Sequence, residues 1–143
     1  MGSDWSKRSG KRAMVVEDDA LVALVLSEYL DDLGIVTVGA YRDLNQAPAA
    51  AISEPLDFAL LDVVIRGDLV FPVADALSVR GIPYAFMTGR DAEDLPEKYQ
   101  YAVCIQKPYT FGHIEQFLNS QFHELGKSLD SGGPSGTVCT TAA

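Results

Sequence analysis

Short apolar runs that each stop at a chemically reactive residue constrain this chain most. Ala13-Met14-Val15-Val16 leads into Glu17-Asp18-Asp19, and Phe58-Ala59-Leu60-Leu61 leads into Asp62. Tyr84-Ala85-Phe86-Met87 ends in Thr88-Gly89, and Val103-Cys104-Ile105 runs through Gln106 into Lys107-Pro108. Apolar runs of this length closed by turn residues read as strands buried on both faces, the pattern of a parallel sheet. If the strands lie side by side, their carboxyl ends share one edge, and open parallel sheets bind ligands there.

The stretches between the strands have helical character. Asp19 is placed to cap a helix that carries Val22, Val25, Leu26, Tyr29, Leu30 and Leu33 and stops at Gly34. Ile35 to Ala40 reads as a second strand. Asp43 can cap a second helix, Leu44 to Ile52, which Pro48 weakens. A loop with Arg66-Gly67-Asp68 precedes a third helix from about Pro72 to Arg80, closed by Gly81. Asp91 to Gln100 is polar and contains Pro96, so a fourth helix there is short or mobile. The last helix begins near Phe111 and puts Phe111, Ile114, Phe117, Leu118, Phe122 and Leu125 on one face. This order is (βα) five times. Right-handed crossovers then give a flavodoxin-like doubly wound three-layer α/β sandwich with a parallel sheet of order 2-1-3-4-5. Strands one, three, four and five, the four with reactive ends, are neighbours in that order.

The 143 residues fit one domain, and 48% hydrophobic with 22% charged residues is a globular composition. The domain spans residues 12–125. Residues 1–11 and the Gly/Ser/Thr-rich 126–143 are expected to be disordered tails. A net charge of −9 disfavours nucleic acid and anionic membranes as partners. No run approaches a membrane span, and the N-terminus lacks the apolar core of a signal peptide. The two cysteines, Cys104 and Cys139, suggest neither a metal site nor a disulfide framework. A cytoplasmic protein with a packed core thiol at Cys104 is expected.

At the shared edge, Glu17, Asp18 and Asp62 would lie within a few ångströms of one another. Two unit charges 4 Å apart repel by roughly 4 kcal/mol at an effective dielectric of 20. Such a site takes up a proton or a cation, and hard oxygen ligands suit Mg²⁺. Lys107 adds an ammonium and Thr88 a hydroxyl. Metal, ammonium and hydroxyl together form a receptor for a phosphoryl group, and a carboxylate among them can be the nucleophile.

The set Glu17-Asp18, Asp62, Thr88-Gly89 and Lys107-Pro108, at matching strand ends, resembles the receiver domain of two-component response regulators. The resemblance covers about residues 12–125. It implies that Asp62 is the phosphoacceptor. Asp18 and Asp62 would bind Mg²⁺ directly, Glu17 largely through water, and the backbone carbonyl of Val64 would be a further ligand. Lys107 would pair with the phosphoryl group, Thr88 would hydrogen-bond it as the switch, and the Lys107–Pro108 peptide would be cis. Ile82-Pro83-Tyr84-Ala85-Phe86-Met87-Thr88-Gly89-Arg90 and Phe71-Pro72-Val73-Ala74-Asp75 are similar to the FAT GUY receivers of alphaproteobacteria. Those are usually stand-alone proteins paired with sensor histidine kinases, often of the HWE type.

The implied function is a single-domain response regulator in a phosphorelay, not an enzyme beyond its own phosphorylation and dephosphorylation. It takes its phosphoryl group from a sensor histidine kinase and signals by protein contact or through a histidine phosphotransfer protein. With the chain ending soon after the last helix, no DNA-binding module is expected. Two alternatives remain: a phosphorylation-independent pseudo-receiver that acts as an interaction module, and an aspartyl phosphatase. The second is disfavoured because Val64 stands where a second aspartate is needed. Cys104 replaces the aromatic that swings in many receivers, so the usual coupled switch cannot operate. Val64 and Arg90 flank the route of an attacking water and are expected to set the phosphoryl lifetime. His113 and His123 read as surface or helix-terminal residues.

Overall fold

The strand β1 (Arg12–Val16) is buried along Ala13 to Val16, because it is flanked on both sides by parallel neighbours. It pairs with β2 (Val36–Tyr41) on one side and β3 (Phe58–Asp62) on the other. All of β3 is buried, whereas β2 consists of exposed and half-buried residues. The computed structural model describes residues 10–89, 95–100, 102–107, 110–122 and 137–138.

Between β1 and β2 runs α1 (Ala20–Asp32), which buries Ala23, Leu26 and Leu30. Asp19 caps it as the sequence predicts, accepting from the amides of Leu21 (2.9 Å) and Val22 (3.2 Å). Gly34, at φ 81°, turns the chain out of the helix. The next helix, α2 (Ala47–Ser53), starts later than the expected Leu44. Asp43 spends its carboxylate on the amide of Asn45, 2.9 Å away, in a local turn. Pro48, with no N–H to donate, sits in the first helical turn, where none is needed.

After β3 the expected loop is a small antiparallel hairpin, β4 (Val64–Ile65) and β5 (Asp68–Leu69), joined by Arg66-Gly67. Then α3 (Phe71–Val79) buries Val73, Ala74 and Leu77, and Gly81 (φ 73°) follows. These elements belong to a unit of residues 9–84, and residues 85–143 belong to a second.

In that second unit, β6 (Tyr84–Thr88, whose first residue closes the preceding unit) pairs in parallel with β7 (Val103–Gln106). Among the described residues between them is a 3₁₀ turn, Glu97–Tyr99; the rest of the stretch expected to hold a short or mobile fourth helix, residues 90–94, lies outside the described residues. Tyr99 is buried and meets Phe86 edge to face, with ring centroids 5.9 Å apart. The helix α4 (Phe111–Phe122) buries Ile114, Phe117 and Leu118 on the expected face, but Phe111, expected there too, is 41% exposed because it opens the helix; the predicted extension to residue 125 lies outside the described residues.

Thr137–Val138 form β8, which pairs antiparallel with β7. The sequence places these two residues in a disordered tail. An unpaired strand edge such as β7 templates further pairing whatever the composition of the segment that meets it. Residues 1–9 and the rest of the tail lie outside the described residues. Cys104, on β7, is buried and disulfide-bonded, not the free core thiol that its apolar run suggests; the pairing with β8 brings a second segment beside it.

The strands hydrogen-bond in the order β2-β1-β3-β6-β7-β8. Leaving out the added β8, this is the flavodoxin-like order 2-1-3-4-5 of a parallel sheet wound with helices.

Candidate functional site

Parallel pairing of β1 with β3 sets Val16 opposite Leu61. Glu17 and Asp62 therefore follow at equivalent points of adjacent strands. The β1 line continues one residue past its last strand residue, because the Glu17 amide donates to the Tyr41 carbonyl at 2.9 Å. Glu17 is consequently almost fully buried, at 2% exposure, and Asp62 is 8% exposed. Asp18, half-buried, sits where the chain turns from β1 into the cap of α1. One carboxylate oxygen from each of Glu17, Asp18 and Asp62 lies within 4.8 Å of the others. The three acids singled out from sequence thus converge.

Backbone amides hold two of them. The Asp19 amide donates to Glu17 Oε2 at 3.0 Å, and the Arg66 amide donates to Asp18 Oδ2 at 2.9 Å. Val64, at the start of the hairpin, is 39% exposed. The Arg66 contact was not legible in the sequence, where Arg66-Gly67 reads only as a turn. Its one signal was the glycine at the second turn position, which suits a two-residue hairpin.

Thr88 and Lys107 are brought to each other. Thr88 ends β6 opposite Gln106 of β7, and the Lys107 amide donates to the Thr88 carbonyl at 2.8 Å. Thr88 is 4% exposed and Lys107 half-buried. A Cβ added to the next residue, Gly89, would meet open space. His113 fulfils the helix-terminal reading: its Nδ1 accepts from the Thr110 amide at 3.0 Å, ahead of α4. Arg90, Asp91 to Asp94, Pro108 with its expected cis peptide, and His123 lie outside the described residues.

No family model matches the chain. The receiver domain of the sensor histidine kinase PA1611 from Pseudomonas aeruginosa, solved with magnesium in its active-site cleft, shares the fold. It superposes with a TM-score of 0.69 at 17% identity, covering 81% of this chain and all (100%) of that one. SdrG from Sphingomonas melonis Fr1 is 31% identical with a TM-score of 0.68, over 78% of this chain and 96% of SdrG. The chain belongs to the receiver domains of response regulators. Among curated proteins, this receiver is 26% identical over 122 residues to the transcriptional regulatory protein PdtaR of Mycobacterium tuberculosis. That match takes in 80% of the chain but 60% of PdtaR, so the receiver spans well under the full length of that relative. No helix among the described residues is long and apolar enough to cross a membrane.

Proposed function

We propose that this receiver accepts a phosphoryl group on Asp62 from a sensor histidine kinase, with Mg²⁺, and signals by protein contact or phosphorelay. The convergence of Glu17, Asp18 and Asp62, with carboxylate oxygens within 4.8 Å, carries the reading. Three carboxylates so close repel one another unless a cation or proton intervenes, and an all-oxygen donor set suits a hard divalent ion. Glu17, Asp18, Asp62 and the Val64 carbonyl would hold it, Glu17 largely through water. When bound, the ion neutralises charge on the phosphoryl oxygens.

The chain's own groups do the rest. An Asp62 carboxylate oxygen bonds to phosphorus as the P–N bond of a kinase phosphohistidine breaks. The imidazole keeps the electron pair and later takes a proton from solvent. The Lys107 ammonium pairs with the transferred group, and the Thr88 hydroxyl donates a hydrogen bond to one of its oxygens. Water attack at phosphorus later returns the Asp62 carboxylate and inorganic phosphate. Val64 offers this water no polar partner, so Val64→Asn is expected to change the dephosphorylation rate. The kinase and any histidine phosphotransfer partner are cytoplasmic in this reading, and there the Cys104 disulfide would be reduced.

Titration with Mg²⁺ and then beryllofluoride, followed by amide NMR, tests the proposal. Mg²⁺ is expected to move Asp18 and Asp62, and beryllofluoride to move Thr88 and Lys107 as well. Silence to both reagents would leave the phosphorylation-independent interaction module as the function.

A further inference from the structure

Among the described residues, one non-glycine has a left-handed backbone: Arg66, at φ 52°, followed by Gly67 at φ 87°. Both residues of the turn between β4 and β5 thus have positive φ, the pattern of a tight two-residue hairpin turn. Glycine adopts this conformation freely, but arginine does so at a cost, and such strain persists where surrounding contacts enforce it. The contacts are specific. The Arg66 amide donates to Asp18 Oδ2 at 2.9 Å across 48 positions of sequence. The Arg66 Nε donates to the Arg42 carbonyl, also at 2.9 Å, just beyond the end of β2. At the base of the hairpin, the Val70 amide closes on the Val63 carbonyl at 2.9 Å. The turn is therefore stapled to the loops that follow β1 and β2.

We propose that the Arg66-Gly67 turn is a positioning element for the divalent cation, with the Arg66 backbone N–H fixing the Asp18 carboxylate. This rests on the cation reading of the acidic cluster. The amide engages Asp18 Oδ2 and so fixes the plane of the carboxylate whose remaining lone pairs face the ion. A backbone donor behind a ligating carboxylate fixes its rotamer before the ion arrives, and donors of this kind influence metal affinity strongly. The positioning group is the amide, presented by the left-handed turn. The guanidinium only ties the turn to Arg42, so residue identity at 66 matters through backbone conformation.

Three variants of the full chain test this by Mg²⁺ titration, monitored by the Asp18 amide resonance, with melting measured in EDTA. Arg66→Asn keeps the amide and accepts a left-handed backbone; its affinity should stay within about three-fold of wild type. Arg66→Ile, β-branched, resists that backbone; Mg²⁺ should bind about ten-fold more weakly. Gly67→Ala, strained at φ 87° although its Cβ meets open space, is a second route to the same loss should Arg66→Ile not fold. Weaker binding with near-native melting in EDTA separates positioning from general loss of structure. Wild-type affinity in Arg66→Ile and Gly67→Ala would overturn the proposal. So would an Arg66→Asn as weak as Arg66→Ile, which would give the role to the side chain. A wild-type chain that binds no Mg²⁺ would instead overturn the cation reading itself.

Discussion

At the scale of single residues, the site concentrates like charge. Glu17, Asp18 and Asp62 offer oxygens within 4.8 Å of one another, and Glu17 and Asp62 are largely withdrawn from water. Removing one charge should therefore stabilise the metal-free chain. Asp62→Asn is expected to raise the unfolding free energy by about 1 kcal/mol without Mg²⁺, well below the several kcal/mol of an unscreened pair. In excess Mg²⁺ the difference should shrink or reverse, because wild type gains the ion and the variant loses a ligand. Denaturant melts with Mg²⁺ and with EDTA read both effects. The same variant should not take up a phosphoryl group from acetyl phosphate. The residues proposed for this chemistry were legible because charged groups that close buried strands have few structural reasons to be there. Arg66 was not legible, because its contribution is a backbone amide, which every residue but proline possesses.

Secondary-structure elements show where sequence reading succeeds and where it stops. The strands β1 and β3 are continuous apolar runs buried on both faces, so composition alone marks them. The start of α2 was missed because Asp43 had two local uses and the turn to Asn45 won over the helix cap. The hairpin and β8 were missed because two-residue strands have no periodicity to read; only their partners define them. At the start of α1, Asp19 links helix and site, capping two amides while its own amide holds Glu17. Asp19→Ala should cost about 1 kcal/mol of stability in a thermal melt. Its Mg²⁺ affinity should fall less, since the Glu17 contact uses the backbone. The 3₁₀ turn stands on the Tyr99–Phe86 ring pair. Tyr99→Ala and Phe86→Leu should show a coupling energy of about 1 kcal/mol in a double-mutant cycle. Hydrogen exchange across residues 95–100 should quicken in Tyr99→Ala.

At the scale of the whole molecule, a cation bound only by the folded chain adds to its stability by mass action. At one hundred times the dissociation constant the gain is about 2.7 kcal/mol. Titrating Mg²⁺ against the melting temperature should therefore give the same constant as the NMR titration, and disagreement would mean that the ion stabilises the chain from elsewhere. The acidic cluster also has a long span in sequence. Glu17 and Asp62 meet only once β1 and β3, separated by the whole of α1, β2 and α2, have come into register. Long-range parallel pairing is a late and slow event in folding. An ion that needs both strands should then have little to hold in the folding transition state. Mg²⁺ is expected to slow unfolding while leaving the refolding rate nearly unchanged. The ion would thus act as a kinetic lock on a chain that has already found its way, lengthening the life of the native state without hastening its arrival.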